Sequence, residues 1–269
     1  MPPIKLSIII PTLNEAAIID QALANLADLE GAIEIIMVDG GSSDATLARA
    51  MRAGVTLLHA PRGRASQMNQ GAAAAQGDVL LFLHADTRLP PNAYAAIMSV
   101  LAQPDIGGGS FRLRFDHDHW VLRGFSFFSR FNLPFCHYGD SAYFVRKSIF
   151  DTLGGYRRLP IMEDIDFFMR LYRSYRTAVV QTPVITSARR FLRAGVFRLQ
   201  AAGVILVILF LCKVRPAWIK TIYDYIQPRE MRDAQPRLQT PDPRRKAPLS
   251  AAGLMVLALF KPAHGEGDL

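Results

Sequence analysis

The sequence predicts an α/β fold, a mainly parallel sheet flanked by helices, with a helical C-terminal appendage. Three observations support this prediction. Short apolar runs alternate with segments of helical spacing, which is typical of repeated βαβ units. Each run ends in polar or acidic residues, the place where open sheets bind ligands. Near residue 190 the composition changes and the chain becomes basic; its 269 residues suffice for one large domain and an appendage.

The strands of this sheet are predicted from apolar runs that are too short for helices. They are Leu6–Ile10, Ile33–Val38, Val55–Leu58 and Val79–Leu83. Between them lie the predicted helices: Ala16–Leu29, a helix capped by Asp44 that runs through Arg52, and Ala65–Gln76. Right-handed crossovers bring the loops after the first, second and fourth strands to one edge. Asp39 and Asp86, which follow two of these strands, are therefore expected to share a cleft.

The usual phosphate-binding loops are absent from the sequence. No GxGxxG follows the first strand and no GxxxxGK[ST] occurs anywhere, which argues against a dinucleotide dehydrogenase and a P-loop enzyme. The strand ends carry Asp39 and Asp86 instead, and Glu163 and Asp164 follow farther along. Acidic side chains repel phosphate unless a cation lies between them. The cleft is therefore predicted to hold a divalent metal, a nucleoside, or both.

Five segments, in this order, resemble the family 2 glycosyltransferases over roughly Leu6 to Phe191. They are Ser7–Glu15, Val38–Thr46, Gln67–Gly71, His84–Asp86 and Glu163–Asp164. The resemblance implies the GT-A fold, which binds nucleotide-diphosphate sugars, and transfer to a hydroxyl with inversion at the sugar. Further pieces resemble a bacterial subgroup labelled for arsenosugar biosynthesis: Gly63–Ala65, Leu81–Thr87, Gly139–Asp140 and Met162–Asp164.

The resemblance also implies roles for individual residues. Asp164 would be the general base, Asp86 would bind the Mn²⁺ or Mg²⁺ that bridges the diphosphate, and Asp39 would accept a hydrogen bond from the nucleotide base. The donor-binding positions that it implies are Pro11, Thr12, Glu15, Asp39, Arg64, Asn69, His84, Ala85 and Asp86, of which Arg64 lies near the diphosphate. The acceptor-side positions that it implies are Gly139, Asp140, Glu163 and Arg190.

The sequence departs from the family's pattern at two places. His84 replaces the first Asp of the DxD motif, which leaves one fewer carboxylate for the ribose or the metal. Ser187 and Phe191 replace the Gln and Trp of the QxxRW motif of processive members, so a non-processive enzyme is expected. One base and one electrophile still suffice for inverting transfer.

Structural interpretations of the same residues stay open. Asp39 and Asp86 belong to a residue type that is common in turns. Asp164 begins a predicted helix, where a carboxylate is stabilising in any case. Arg64 also fits a solvated surface charge, and His137 borders either an acceptor pocket or only other protein groups. The apolar stripe predicted for the helix after Asp164 is Ile165, Phe168, Met169 and Tyr172.

The last third of the chain is basic and contains two apolar runs. Residues 187–247 carry 13 Lys/Arg against 4 Asp/Glu, so the first 186 residues are close to neutral and no nucleic-acid partner is expected. Leu199–Cys212 would form a helix about 21 Å long, short of the roughly 30 Å of a bilayer core. This run and Leu249–Phe260 are interpreted as helices on an anionic membrane surface or as helices packed internally.

The predicted organisation is a catalytic domain over 1–190 and a basic helical region over 191–269, with a Pro/Arg-rich linker around 227–247. The N-terminus lacks a signal-peptide pattern. Cys136 and Cys212 suggest no disulfide framework, which fits a reducing compartment. The expected location is the cytoplasm, including the inner face of its membrane.

Three functions remain open from the sequence. The first is a metal-dependent glycosyltransferase that uses a nucleotide-diphosphate sugar and a hydroxyl acceptor, soluble or lipid-linked. The second is a nucleotidyltransferase that makes such sugars, although its triphosphate would need a basic Gly-rich loop where Pro11–Glu15 stands. The third is a catalytically silent, membrane-associated binding protein, against which the presence of both Asp86 and Asp164 counts.

Overall fold

The computed structural model describes residues 5–53, 55–133, 135, 137 and 139–226. The chain divides into two units, Met1–Leu192 and Arg193–Leu269. The predicted linker around 227–247 and the apolar run Leu249–Phe260 lie outside the described residues. The functional division at residue 190 therefore stays a prediction.

The described residues contain eight strands and ten helices, joined by loops. The strands are β1 (Leu6–Thr12), β2 (Ile33–Asp39), β3 (Thr56–His59), β4 (Val79–Phe82), β5 (Thr87–Arg88), β6 (Ile106–Phe115), β7 (Tyr143–Arg146) and β8 (Arg176–Thr186). The helices are α1 (Ile19–Ala27), α2 (Thr46–Arg52), α3 (Arg64–Ala74), α4 (Ala93–Leu101), α5 (Trp120–Phe128), α6 (Lys147–Thr152), α7 (Glu163–Ser174), α8 (Arg189–Ala194), α9 (Val196–Leu211) and α10 (Pro216–Ile226), with a 3₁₀ turn at Gly139–Ser141.

The strands form one sheet in the order β3-β2-β1-β4-β7-β6-β8-β5. The first four strands of this order are parallel, and β6 runs parallel to β8. The pairs β4–β7, β7–β6 and β8–β5 are antiparallel. The prediction of an α/β fold with a mainly parallel sheet and flanking helices is confirmed. Because β1 lies between β2 and β4, the loops after these three strands leave the sheet at the same edge.

The central strands of the sheet are covered on both faces, so neither face is exposed to solvent. Ile8, Ile9 and Ile10 of β1 are fully buried, which explains why this strand is apolar at three consecutive positions. Helix α3 reaches the sheet through Gly71, where a Cβ atom would lie 2.4 Å from Ile9 Cγ2. Only glycine permits this approach, and it brings the first turns of α3 to the edge where the acidic loops meet.

The buried face of α7 differs from the predicted stripe. Ile165 and Phe168 are buried as predicted, but Phe167 and Leu171 complete the face, while Tyr172 is exposed. The acids at the start of this helix, Glu163, Asp164 and Asp166, are buried as well. Glu163 and Asp166 form ion pairs, and Asp164 accepts hydrogen bonds from the backbone.

The second unit contains the predicted apolar run as part of α9, which contacts α10. Several apolar side chains of these helices are exposed, among them Phe197, Val204, Ile208 and Leu211. Within the part of the chain that the structure describes, no helix has both the length and the apolar character that a membrane crossing requires.

Candidate active site

The loops after β1 and β2 are tied to each other by side chain to backbone hydrogen bonds. The Asn14 N–H donates to Ser42 Oγ at 2.9 Å, and Asn14 Oδ1 accepts from the Ser43 N–H at 2.8 Å. The Glu15 N–H donates to Thr46 Oγ1 at 2.8 Å. Asp44 accepts from the Thr46 N–H at 3.0 Å. The N-cap of α2 is nevertheless Ala45 and not Asp44 as predicted, and no side chain among the described residues caps the helix. These contacts give the edge of the sheet a defined shape.

Asp39 ends β2 with a carboxylate that is almost entirely buried. Its Oδ2 accepts from the N–H groups of Gly41 and Ser42 at 2.8 and 2.9 Å, and its Oδ1 accepts from Ser42 Oγ. Because all three bonds lie within one loop, they are also what an ordinary turn residue would form. They also hold the carboxylate in one orientation at the predicted cleft, beside the buried Thr12 at the end of β1.

Gln67 is a site residue to which the sequence interpretation assigned no role. Its buried Nε2 donates to the carbonyls of Thr12 and Val38, both at 2.8 Å, and so joins the ends of β1 and β2 to α3. A Cβ atom at Gly40 would lie 3.0 Å from this amide, so the loop passes directly over it. Its place in the segment Gln67–Gly71 was the available signal.

His84 and Asp140, which are 56 positions apart in the sequence, form a pair at the end of β4. His84 Nδ1 lies 2.7 Å from Asp140 Oδ1. Burial by itself lowers the pKa of His84, but its bond to Asp140 raises it above the ordinary value. Burial raises the pKa of Asp140, yet the His84 contact and the charge of Arg190 hold it well below the usual range. The missing DxD carboxylate thus has a counterpart that arrives from another segment.

Asp86 lies among charges of both signs. Burial raises its pKa, the charge of Asp140 raises it further, and His84 and Arg190 oppose the rise. Burial and the charge of Asp86 also raise the pKa of Glu15, to about 6, against the opposing charge of Arg189. Arg189 Nη2 lies 3.8 Å from Glu15 Oε2. The site therefore combines carboxylates that repel one another with two arginines from the start of α8.

Asp164 lies in the first turn of α7 with both carboxylate oxygens engaged by backbone. Its Oδ2 accepts from the Gly139 N–H and its Oδ1 accepts from the Ile165 N–H, both at 2.8 Å. A Cβ atom at Gly139 would lie 3.1 Å from Asp164 Oδ2 and 2.8 Å from His84 Nε2. Gly139 therefore lies between the Asp164 carboxylate and the His84 imidazole, and a side chain at this position would crowd both groups.

Glu163 is buried and paired with Arg64, whose Nε lies 2.6 Å from Glu163 Oε1. Burial raises the pKa of Glu163, while the charge of Arg64 lowers it and that of Asp164 raises it. The residue before them, Met162, has a φ of 65°, which turns the chain sharply into α7. Arg64 is thus not only a solvated surface charge, and it joins the predicted donor side to the predicted acceptor side.

The other predicted donor residues differ in what they contact. Pro11 is partly exposed at the end of β1, and Ala85 is buried between His84 and Asp86. The Asn69 side-chain amide forms two hydrogen bonds with the backbone of Tyr156. It donates to the Tyr156 carbonyl at 2.8 Å and accepts from the Tyr156 N–H at 2.9 Å. Asn69 is therefore a structural clamp between α3 and the segment before α7.

Two buried hydroxyls beside the acids lack a hydrogen-bond partner among the described residues. They belong to Tyr156, whose pKa is raised by burial and by the charges of Asp164 and Glu163, and to Ser141, which follows Asp140 in the 3₁₀ turn. His137 is different. Its Nδ1 lies 3.0 Å from Ser110 Oγ and its Nε2 lies 2.8 Å from the Phe131 carbonyl, so both ring nitrogens serve the fold.

The donor set fits a cation that arrives with its ligand better than a preformed cage. Among the described residues, no group of three or more His, Cys, Asp or Glu side chains is arranged to hold a metal ion. Asp86 and Asp140 nevertheless supply hard carboxylate oxygens, and their like negative charges repel each other. Mg²⁺ commonly binds through one or two carboxylates and completes its shell with substrate phosphates and water.

Comparison with known proteins identifies the class that this fold and site define. The model of the family described as "Glycosyl transferase family 2" matches residues 7–174. The chain therefore belongs to glycosyl transferase family 2. It is a GT-A-like glycosyltransferase, and the prediction of that family and fold is confirmed.

The chain is similar to proteins of Mycobacterium bovis, Pyrobaculum calidifontis and S. aureus. A PGL/p-HBAD biosynthesis glycosyltransferase of Mycobacterium bovis is 34% identical over 182 residues, which cover 62% of this chain and 69% of that protein. The mannosyltransferase PcManGT of Pyrobaculum calidifontis superimposes with a TM-score of 0.57 at 19% identity, over 97% of this chain and 82% of that one. S. aureus TarS 1-349 gives a TM-score of 0.58 at 18% identity, over 80% and 70% of the two chains.

Proposed function

We propose that this glycosyltransferase is an inverting, metal-assisted enzyme that moves a sugar from a nucleotide diphosphate to a hydroxyl acceptor, with Asp164 as the general base. The observation that carries the proposal is the fixed carboxylate of Asp164, held by two backbone N–H groups beside the His84–Asp140 pair. The alternative of a nucleotidyltransferase has no observation in its favour, since the matched family transfers glycosyl groups.

The chemistry is a single displacement. The acceptor oxygen forms a bond to the anomeric carbon as the bond from that carbon to the diphosphate oxygen breaks, and the electron pair of the broken bond leaves with the diphosphate. The acceptor's proton passes to Asp164. Because both oxygens of this carboxylate already accept one hydrogen bond from Gly139 or Ile165, the group is oriented before the acceptor binds.

Asp86 and Asp140 are proposed to hold the divalent cation together with the donor's diphosphate. When bound, the cation would neutralise the charge that develops on the leaving diphosphate. His84 cannot supply the carboxylate that the DxD motif has at this position, but its Nδ1 contact places Asp140 beside Asp86. The pair His84–Asp140 therefore compensates for the departure from the motif.

The donor is proposed to lie across the ends of β1, β2 and β4. Asp39 would accept from the nucleotide base, Thr12 and Glu15 would line the nucleoside pocket, and Arg64 would face the diphosphate while it holds Glu163. Two proteins of this fold support a nucleotide-sugar donor, since PcManGT was solved with GDP-Man and Mn²⁺ and TarS with UDP-GlcNAc. Asn69 would act indirectly, by fixing the segment that leads to α7.

The acceptor side is proposed to be formed by Gly139, Asp140, Glu163 and Arg190, around the buried hydroxyl of Tyr156. The acceptor itself stays unnamed. The predicted arsenosugar label is not supported, because the M. bovis relative is instead labelled for PGL/p-HBAD biosynthesis. Non-processive transfer, a lipid-linked acceptor and attachment to an anionic membrane through the basic second unit also remain proposals that rest on the sequence.

The test separates donor binding from transfer. Asp86→Asn should abolish the Mn²⁺-dependent binding of a nucleoside diphosphate in calorimetry, because it removes one of the two carboxylates that are proposed to hold the cation. Asp164→Asn should keep that binding and slow single-turnover transfer by about 10²–10⁴-fold, the usual contribution of a general base. Asp151→Asn, an exposed carboxylate of α6, is the matched control and should change neither.

The proposal fails in two recognisable ways. If the Asp164→Asn variant transfers sugar within tenfold of the wild-type rate, another residue is the base. If the affinity of the Asp86→Asn variant in Mn²⁺ is unchanged, the cation is not held there. Thermal unfolding of each variant, measured in parallel, distinguishes either result from loss of the fold.

A further inference from the structure

A set of large apolar side chains is exposed on α5 and the segment that follows it in the first unit. Its members, which we call the aromatic face, are Trp120, Phe127, Phe128, Phe131, Leu133 and Phe135. Trp120 is 69% exposed and Phe128 is 57% exposed. The three central rings touch, with centroids 5.7 Å apart for Phe127–Phe128 and for Phe127–Phe131. Trp120 lies on the same side of α5 as Phe127, because residues seven apart share a helix face.

The aromatic face is about as large as the largest apolar patch that a soluble monomer usually exposes. An aromatic side chain buries about 150–250 Å² when it is fully enclosed, so six half-exposed side chains present on the order of 500 Å². The largest apolar patch on a soluble monomer is about 300–600 Å² and is often functional. A patch of this size, made of rings rather than small aliphatic groups, indicates a surface that binds something.

The charges around the aromatic face indicate what it binds. Residues 119–135 contain Arg123 and Arg130 and neither Asp nor Glu, and Asp118 just before them lies 3.6 Å from Arg123. The Arg130 guanidinium lies 4.1 Å from the centroid of the Phe127 ring, so a cation sits among the exposed aromatic side chains. Aromatic side chains with an arginine among them are typical of the membrane–water interface, where rings lie at headgroup level and a guanidinium group meets lipid phosphate.

The aromatic face is close in the sequence to the acceptor side of the active site. The Phe131 carbonyl is bonded to His137 Nε2 at 2.8 Å. Two residues farther on, the Gly139 N–H donates to Asp164. A surface that the rings contact would therefore lie next to the segment that orients the proposed base, which is where an acceptor must enter.

We propose that the aromatic face docks the catalytic unit onto an anionic lipid surface, with its rings at headgroup level and no segment crossing the bilayer. This docking surface consists of residues other than the basic second unit. It also does not depend on the roles proposed for Asp86 and Asp164, so its test and the test of the reaction can fail separately.

Trp120 is the probe for this inference. The chain has two tryptophans, and Trp218→Phe leaves Trp120 as the sole emitter in the full-length protein. Vesicles of phosphatidylcholine with phosphatidylglycerol should shift its emission to shorter wavelength, and brominated lipids should quench it. Phosphatidylcholine alone should produce a weaker effect, because Arg130 then has no anionic lipid to pair with.

A triple variant tests whether the face drives binding. Phe127→Ser, Phe128→Ser and Phe131→Ser together should reduce partition into the anionic vesicles at least tenfold in flotation. The matched control changes exposed apolar residues elsewhere in the same unit, Met51→Ser with Tyr172→Ser, and should float like the wild type. If the triple variant does not fold, the single change Phe128→Ser and the quenching of Trp120 in the otherwise native chain still decide the matter.

Three results would overturn the inference. The first is equal flotation of the triple variant and the wild type, which would leave binding to the second unit. The second is a Trp120 emission that vesicles and brominated lipids do not change. The third is a concentration-dependent dimer in light scattering that the triple variant abolishes while vesicle binding is unaffected, which would assign the face to a second copy of the chain.

Discussion

Replacing His137 with glutamine should remove a pH dependence of stability that burial of this ring creates. Burial lowers the pKa of His137 to about 4, against an ordinary 6.5. The ring is inaccessible to solvent and its nitrogens lie against Ser110 Oγ and the Phe131 carbonyl. The neutral tautomer with hydrogen on Nε2 satisfies both contacts, so protonation brings a buried charge and no new partner.

The sign follows from proton counts. Between the two pKa values the unfolded chain binds more protons at His137 than the folded protein does, so the free energy of unfolding falls as the pH falls through this window. From about pH 7.5 to about pH 5 the linkage relation gives a loss of about 2 kcal/mol from this single residue. Above pH 6.5 the contribution is fully present.

Urea unfolding of the wild type and of His137→Gln at both pH values measures this effect. The difference between the two proteins is the informative quantity, because acids with raised pKa values, such as Glu15, stabilise the folded state as the pH falls and oppose His137. The difference should shrink by about 2 kcal/mol on acidification. A difference that is the same at both pH values would contradict a buried, neutral imidazole.

The remaining predictions concern the site and the second unit. Gly139→Ala should reduce transfer at least tenfold, because the added methyl group lies within 3.1 Å of both the Asp164 carboxylate and an imidazole nitrogen, whereas Gly124→Ala has open space and should leave kcat unchanged. Arg64→Gln should lower the free energy of unfolding by about 1–3 kcal/mol, since it leaves Glu163 buried without its ion pair to Arg64. Arg49→Gln, which breaks the exposed ion pair with Asp20, should lower it by less than about 1 kcal/mol in the same chemical unfolding. Flotation of the full chain with anionic vesicles should weaken as salt rises if the basic second unit contributes, and salt-independent flotation would exclude that contribution.

Where the chain's local pattern carries the information, the sequence alone was sufficient. The apolar runs predicted β1, β2, β3 and β4 within a residue or two of their observed bounds, because the strands of a sheet that is covered by helices consist mostly of apolar side chains. The start of α7 was predicted at Asp164 and is observed one residue earlier, at Glu163, since the change from a loop to a run of helical spacing is local. The acids at the strand ends follow from the same reasoning.

Elements whose position depends on distant partners were not predictable in this way. The stripe predicted for α7 was right at Ile165 and Phe168 but missed Phe167 and Leu171. The buried acids of this helix have partners far along the chain, such as Arg64 for Glu163, which a local pattern does not show. The antiparallel β7 enters the sheet beside β4, and no local pattern specifies that neighbour. The choice is made by the closure of the whole core.

The sequence by itself determined the class of this protein: a parallel α/β sheet, acidic loops at the ends of its strands, and a basic, apolar C-terminal region. Only the tertiary structure decided which residues act together. It paired His84 with Asp140 and set Gly139 against Asp164. The physical reason is that strand and helix formation depend on neighbours in the chain, whereas the charge balance of a buried site depends on neighbours in space, which the chain brings together only when the sheet has formed.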